Sequence, residues 1–148
     1  MEEKFFYFDI RYAVEVHDWL IENSGGLPGN YNLGLLESAL EHIQNDLYYP
    51  NFCDKLTHLV FAINKFHAFA DGNKRSSIAL GAYLLELNGY DFVVKRFVSG
   101  MENIAVWVAE GKISKELLRE LIESLVFEED FSEELKLKLV VSQELLDG

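Results

Sequence analysis

Apolar side chains recur every three to four residues along most of this 148-residue chain, which is the spacing of one face of an α-helix. Turn and capping residues divide the pattern into helices at about 10–23, 35–43, 55–66, 73–87, 95–110, 114–127 and 131–146. The segment Phe5-Phe6-Tyr7-Phe8 lacks this period and is consistent with a short strand or an apolar arm. The pattern predicts a fold that is nearly all-α.

Several side chains are placed to begin these helices. Asp9, Asp54 and Ser114 each precede an apolar run and have the short oxygen-bearing side chains that cap helix N-termini. We also expect Trp19 and Trp107 in the core, because each lies among apolar neighbours within a predicted helix.

The fourth predicted helix is expected to lie at the centre of the bundle. Small side chains permit a close approach of neighbouring helices. This helix carries Ser76, Ser77, Ala79, Gly81 and Ala82.

Composition narrows the class of protein. With 13 Lys and Arg against 25 Asp and Glu, the formal net charge is -12, which opposes the phosphate contacts of non-specific nucleic-acid binding. Cys53 is the only cysteine, so neither an intrachain disulfide nor a thiolate zinc cluster is possible. The first residues do not resemble a signal peptide and no apolar run is long enough to span a membrane. We expect a cytoplasmic protein that binds neither membranes nor nucleic acid.

The segment His67 to Arg75 concentrates groups suited to phosphate chemistry at the predicted start of the fourth helix. Backbone N–H groups at a helix N-terminus bind anions, and Gly72 permits their close approach. Asn73, Lys74 and Arg75 add donors and positive charge for phosphate oxygens. Asp71 is a hard oxygen ligand of the kind Mg²⁺ prefers, and His67 can accept a proton from a hydroxyl near neutral pH.

Each of these residues alone has an ordinary explanation. A single histidine is typical of a helix end, Asp-Gly-Asn forms turns and caps, and adjacent cations are usually solvated. Their combination at this spacing favours binding of a nucleoside triphosphate and transfer of a phosphorus-containing group from it.

The segment His67-x-Phe69-x-Asp71-Gly72-Asn73-Lys74-Arg75 resembles the signature of the Fic/Doc family, and in particular its Doc branch of toxin–antitoxin toxins. Gly25-Gly26-Leu27-Pro28-Gly29 and the following Leu35-Leu36-Glu37-Ser38-Ala39-Leu40 resemble the same branch. The resemblance implies a Fic/Doc-type helical bundle with the motif loop between two core helices. It also implies one domain over 1–148, with a core at about 9–127 and a helical extension at about 128–148.

The resemblance implies a role for each matching residue. His67 would be the general base that activates a target hydroxyl, Asp71 the Mg²⁺ ligand, and Phe69 a buried structural residue. Gly72, Asn73, Lys74 and Arg75 would bind the nucleotide phosphates of ATP. The loop from Gly25 to Asn32 would match the flap that docks the target segment.

Three departures from the AMP-transferring Fic enzymes bear on the reaction. Ala68, Lys74 and Ile78 stand where those enzymes carry proline, glycine and a second arginine. Lys74 places a bulky cation where the backbone would bind the inner phosphates, and Ile78 removes a charge that would hold them. Similarity to Doc therefore favours phosphate transfer to a Ser or Thr hydroxyl of a target such as elongation factor Tu, and AMP transfer is the alternative.

An inhibitory segment is not evident in the sequence. Ser124-Leu125-Val126-Phe127-Glu128-Glu129 resembles the family's inhibitory motif but has the wrong last residue. The resemblance to Doc then implies a separate Phd-type antitoxin as regulator.

Two further alternatives remain. His17-Asp18 resembles the start of the HD phosphohydrolase signature, but His42 and His58 do not complete its metal-binding spacing. A catalytically silent Fic-fold module that only binds a partner is the non-enzymatic alternative, and the intact His67, Asp71, Asn73 and Arg75 argue against it.

Overall fold

The structure is a computed structural model that describes residues 4–147, with side chains as far as Gln143. Helices follow one another along this range: α1 (Ile10–Ser24), α2 (Leu33–His42), α3 (Phe52–Phe66), α4 (Asn73–Leu87), a 3-10 turn (Asp91–Val93), α5 (Val94–Ala109), α6 (Lys115–Phe127) and α7 (Glu133–Asp147). The all-α prediction is confirmed for this part of the chain. Phe5–Phe8 forms an apolar arm rather than a strand, and the Phe5 ring stacks on Phe52.

Two of the three predicted helix caps are confirmed. The Asp9 carboxylate accepts a hydrogen bond from the Tyr12 N–H at 3.1 Å, and the Ser114 hydroxyl accepts one from the Leu117 N–H at 3.1 Å. Asp54 was wrongly predicted as a cap, because α3 begins at Phe52 after Asn51. Asp54 is instead the third helical residue and accepts from the Asn51 N–H at 3.2 Å, the reciprocal contact of a capping box.

Helices α3 and α4 form the centre of the bundle. Helix α3 packs against α2, α4, α5 and α6, and α4 packs against α1, α3 and α5. A Cβ added at Gly81 on α4 would lie 2.9 Å from the Phe97 ring of α5. The close packing of α4 on α5 therefore requires a residue without a Cβ at this position. The predicted central position of α4 is confirmed.

The two tryptophans have different environments. Trp107 is partly buried and packs against the core. Trp19 is 62% exposed, so its predicted core position is wrong. Ala13 and His17 define the buried face of α1, and a residue two positions after His17 points about 200° away around a helix.

The predicted C-terminal helix is confirmed as α7, which packs on α6. Its Leu135 is buried, whereas Leu137 is 63% exposed. Among the helices described, none combines the length and apolar character that crossing a membrane requires.

Candidate active site

The motif loop, residues 67–72, connects α3 to α4 and begins at His67. His67 ends α3 in the left-handed conformation, with φ of 49°, and its side chain is exposed. The Asn32 amide donates to the Phe66 carbonyl at 2.7 Å and holds this helix end. The imidazole is therefore presented to solvent from a fixed backbone position.

The flap, residues 25–32, pairs with the motif loop through backbone hydrogen bonds. The N–H groups of Tyr31 and Asn32 both donate to the Ala68 carbonyl at 3.1 Å, and the Ala70 N–H donates to the Gly29 carbonyl at 3.0 Å. An isolated β-bridge joins Asn30 to Phe69. The two segments predicted to form the site thus lie side by side, and docking of a target on the flap stays a prediction.

The Asn73 side chain holds the motif loop in shape. Its Oδ1 accepts from the Phe69 N–H at 2.9 Å, and its Nδ2 donates to the Phe69 carbonyl at 2.9 Å. Sequence reasoning predicted a phosphate contact for Asn73. That contact stays a prediction, and the structure adds a positioning role that spacing alone did not indicate.

The Asp71 carboxylate is held by two backbone donors. Oδ2 accepts from the Leu27 N–H at 3.0 Å, and Oδ1 accepts from the Gly72 N–H at 2.8 Å. These hydrogen bonds lower the pKa of Asp71, so the side chain is a carboxylate at neutral pH. An ionised, oriented oxygen pair that keeps free lone pairs fits the ligand Mg²⁺ requires.

The start of α4 offers unpaired donors. Among the described residues, no acceptor bonds the backbone N–H groups of Asn73, Lys74 or Arg75, as is general for the first turn of a helix. Gly72 precedes them in the left-handed conformation, with φ of 77°, and provides no side-chain cap. This helix start fits an anion such as a nucleotide phosphate.

Lys74 and Arg75 differ in their contacts. Lys74 is exposed, and no hydrogen bond or ion pair of its side chain occurs in the described part of the chain. Arg75 Nη1 donates to the Ser24 hydroxyl at 2.7 Å and to the Gly25 carbonyl at 2.9 Å. Lys74 is thus available to a ligand, whereas the Arg75 guanidinium is fixed at the end of α1.

Gly26 leaves room where the flap meets the motif loop. A Cβ at Gly26 would lie 2.8 Å from Asp71 Oδ2 and 3.0 Å from Arg75 Nη2. The φ of Gly26 is 123°, a conformation that side-chain-bearing residues rarely adopt. The close approach of flap, carboxylate and guanidinium therefore requires glycine.

His17 lies beneath the motif loop, which sequence reasoning missed. Its Nε2 is 2.7 Å from the Asp71 carbonyl oxygen, and its ring stacks on Phe69 at 3.9 Å with an interplanar angle of 5°. Phe69 is itself buried, in keeping with its predicted structural role. The i, i+4 spacing of Ala13 and His17 places both on one face of α1, which was the available sequence signal, and the structure shows that this face is buried.

The HD phosphohydrolase alternative finds no support. Within the described residues, no group of three or more His, Cys, Asp or Glu side chains is arranged to hold a metal ion. His17 is buried against the motif loop, and His58 instead lies 2.7 Å from Lys115 Nζ.

These features define a class of protein: a helical bundle in which a motif loop that begins with a histidine leads into the central helix, whose first residues are Asn, Lys and Arg. The family model described as Fic/DOC family matches residues 7–85. The chain belongs to this family.

Two relatives carry the match further. The protein named Protein kinase doc from Escherichia phage P1 is 32% identical over 106 residues, which cover 68% of this chain and 80% of the phage protein. The protein named Toxin Doc from Mycolicibacterium smegmatis is 35% identical over 80 residues, which cover 49% of this chain and 62% of that protein. The resemblance inferred from the motif is thereby confirmed at the level of the family.

Proposed function

We propose that this protein is a Doc-type toxin that transfers the γ-phosphate of ATP to a Ser or Thr hydroxyl of a target protein. The observation that carries the proposal is one short loop that presents exposed His67 at the end of α3 and the Asp71 carboxylate just before α4, whose start offers unpaired N–H groups and Lys74. The names of the two relatives, a protein kinase and a toxin, support it.

Each residue has a defined part in this reaction. His67 takes the proton of the attacking hydroxyl. The hydroxyl oxygen bonds to the γ-phosphorus, the bond from that phosphorus to the bridging β-phosphate oxygen breaks, and ADP leaves. The N–H groups at the start of α4 and the Lys74 ammonium bind phosphate oxygens and stabilise the charge that develops on them. Asp71 would hold Mg²⁺, which supplies further charge neutralisation when bound.

Phosphate transfer is favoured over AMP transfer by two side chains of α4. Lys74 projects to solvent at the second helical position, where it reaches outer phosphates as a point charge. Ile78 packs against the core, so no second cation extends from that position toward the inner phosphates. AMP transfer and a catalytically silent binding module are the alternatives.

Isotope position distinguishes the three functions. The protein, Mg²⁺ and ATP labelled at either the α- or the γ-phosphorus are incubated with cell lysate and, separately, with purified elongation factor Tu. Label transfer to protein only from γ-labelled ATP supports the kinase, and transfer from α-labelled ATP overturns it in favour of AMP transfer. Absence of both labels favours the silent module.

The His67→Ala variant is the control for the same assay. Loss of a general base lowers the transfer rate by about 10²–10⁴-fold, whereas Mg·ATP binding measured by calorimetry stays close to that of the parent. Transfer that persists in His67→Ala contradicts the role assigned to His67.

The proposed toxin requires a regulator, and we propose a Phd-type antitoxin encoded beside it. A chain segment that folds on binding suits a groove between helices. Co-purification of a small protein expressed from the adjacent gene supports this, and harmless overexpression of an active chain alone contradicts it.

A further inference from the structure

His17 is a buried polar side chain with one strong hydrogen bond. Only 1% of it is exposed, and its Nε2 lies 2.7 Å from the carbonyl oxygen of Asp71. Because a carbonyl oxygen only accepts hydrogen bonds, Nε2 is the donor and carries the proton. His17 thus fixes the main chain at the residue whose carboxylate is the proposed Mg²⁺ ligand.

The His17 imidazole also contacts the motif loop at a second residue, Phe69. Its ring lies parallel to the Phe69 ring at 3.9 Å. The Asn73 side chain also accepts a hydrogen bond from the Phe69 N–H and donates one to the Phe69 carbonyl. His17 therefore holds the loop at positions 69 and 71, on either side of Ala70.

Core packing alone does not account for a histidine at this position. Nδ1 of His17 is buried and has no hydrogen-bond partner among the described residues. The exposed Asp18 carboxylate oxygen lies 3.5 Å from Nδ1 and does not form a hydrogen bond with it. A buried nitrogen without a partner lowers stability, and an apolar residue of similar volume avoids that cost. The hydrogen bond from Nε2–H to the Asp71 carbonyl explains why the residue at this position is a histidine.

We propose that His17 is a positioning residue that orients the Asp71 carboxylate for Mg²⁺ binding by donating Nε2–H to the Asp71 carbonyl. The Asp71 oxygens receive their N–H donors from Leu27 and Gly72, so a shift of the Asp71 backbone moves the carboxylate away from both. Partners that orient a metal ligand in this way change metal affinity when they are removed. The Mg²⁺ part of this proposal rests on the proposed function, whereas the hydrogen bond and its effect on Asp71 do not.

Two substitutions of equal length separate the hydrogen bond from packing. His17→Gln and His17→Met both replace the ring with an unbranched chain and lose the stack on Phe69, but only glutamine retains an N–H donor. The amide resonances of Leu27 and Gly72 in ¹⁵N-labelled protein report on the Asp71 carboxylate without any ligand. We expect both resonances to stay near their parent positions in His17→Gln and to shift in His17→Met.

The second measurement is calorimetric titration of each protein with ATP, with and without Mg²⁺. We expect Mg·ATP to bind His17→Met about 10–100-fold more weakly than His17→Gln, with equal affinities for ATP alone. Thermal unfolding provides the comparison for stability, and methionine is expected to be at least as stable as glutamine at this buried position. His17→Met is then expected to be the weaker binder of Mg·ATP although it is at least as stable as His17→Gln.

Specific outcomes overturn the proposal. Equal shifts of the Leu27 and Gly72 resonances in the two variants contradict the positioning role, as do Mg·ATP affinities that simply follow stability. If the parent itself does not bind Mg·ATP, the proposed function fails, and the amide resonances alone decide the role of His17.

Discussion

At the scale of single residues, Asn73 illustrates how a side chain assigned to ligand binding also builds the site. Its amide makes two hydrogen bonds with the Phe69 backbone, which spans the turn from the motif loop into α4. A hydrogen bond of this kind contributes about 0.5–1.5 kcal/mol to stability. The residue therefore couples the fold of the loop to the start of the helix.

We expect Asn73→Ala to lower the free energy of unfolding by about 1–3 kcal/mol, because both hydrogen bonds are lost. Urea unfolding of parent and variant measures the difference. Asn73→Asp is the matched comparison, since it retains the acceptor for the Phe69 N–H but not the donor to the Phe69 carbonyl. An unfolding free energy unchanged in Asn73→Ala contradicts the structural role.

At the scale of elements, the flap and the motif loop depend on glycine at the point where they meet. Gly25, Gly26 and Gly29 all have positive φ, so each substitution by alanine carries a similar backbone cost. Only Gly26 of these three has site atoms within 4 Å of an added Cβ. Substitutions at Gly25 and Gly29 are therefore controls for the backbone cost of a substitution at Gly26.

We expect Gly26→Ala to weaken Mg·ATP binding at least about tenfold, because the new methyl group displaces Asp71 or Arg75 and disturbs ligand placement. Gly29→Ala carries the backbone cost alone, with open space around its Cβ, and is expected to bind Mg·ATP nearly as the parent does. Calorimetric titration gives both affinities. Equal losses in the two variants would show that flap conformation, rather than contact with the site, determines binding.

A second pair of elements, α3 and α6, is joined by a histidine–lysine contact. His58 Nδ1 lies 2.7 Å from Lys115 Nζ, and the His58 ring lies 4.8 Å from the Tyr49 ring, tilted by 37°. Burial, followed by the Lys115 charge, lowers the pKa of His58 to about 4. Burial also lowers the pKa of Lys115. His58 is therefore the neutral acceptor of a lysine proton in the folded protein.

This contact predicts a loss of stability in mild acid. Between pH 6.5 and about 4 the unfolded chain binds a proton at His58 that the folded chain excludes, so stability falls as the pH falls through this window. We expect the His58 contribution to be on the order of 1–2 kcal/mol after screening at this half-buried site. Unfolding of parent and His58→Asn is compared across these pH values, because asparagine keeps an acceptor but does not titrate. Parallel pH profiles for the two proteins would contradict the prediction.

At the scale of the whole molecule, the helices were predictable because their signals are local. In the described part of the chain, apolar periodicity predicted a helix at each of α1 to α7 but not the 3-10 turn, and Asp9 and Ser114 marked two of the starts. Asp54 was misassigned because a cap and the third residue of a capping box share the same acidic chemistry. Trp19 was misplaced because apolar neighbours along the chain do not indicate which side of α1 faces the bundle.

The Fic/Doc motif was recognisable from the spacing of its residues, whereas the contacts that hold the motif loop were not predicted. His67, Asp71 and Lys74 lie within a short run of sequence. The contact of His17 with Asp71 joins residues 54 positions apart, and that of Arg75 with Ser24 joins residues 51 apart. Such pairs depend on how α1 packs on α4, which one sequence without tertiary contacts does not specify.

Substitutions in the C-terminal helix α7 can show whether the stability of this bundle and ligand binding at the candidate site vary independently. Helix α7 packs on α6, and Lys138 Nζ forms an ion pair with Glu120 at 2.8 Å. Leu135 is 7% exposed and Leu137 is 63% exposed, so one helix provides a buried and an exposed leucine two residues apart. None of the site contacts described above involves α7.

We therefore expect Leu135→Ala to lower the free energy of unfolding by about 2–3 kcal/mol, as removal of a buried leucine side chain does. Leu137→Ala is expected to change it by less than about 0.5 kcal/mol. Both variants should bind Mg·ATP with parental affinity at temperatures where they are folded, because the motif loop is held by α1, α4 and the flap. Urea unfolding and calorimetry on the same samples measure the two properties. Weakened binding by folded Leu135→Ala would show that α7 supports the site as well as the fold.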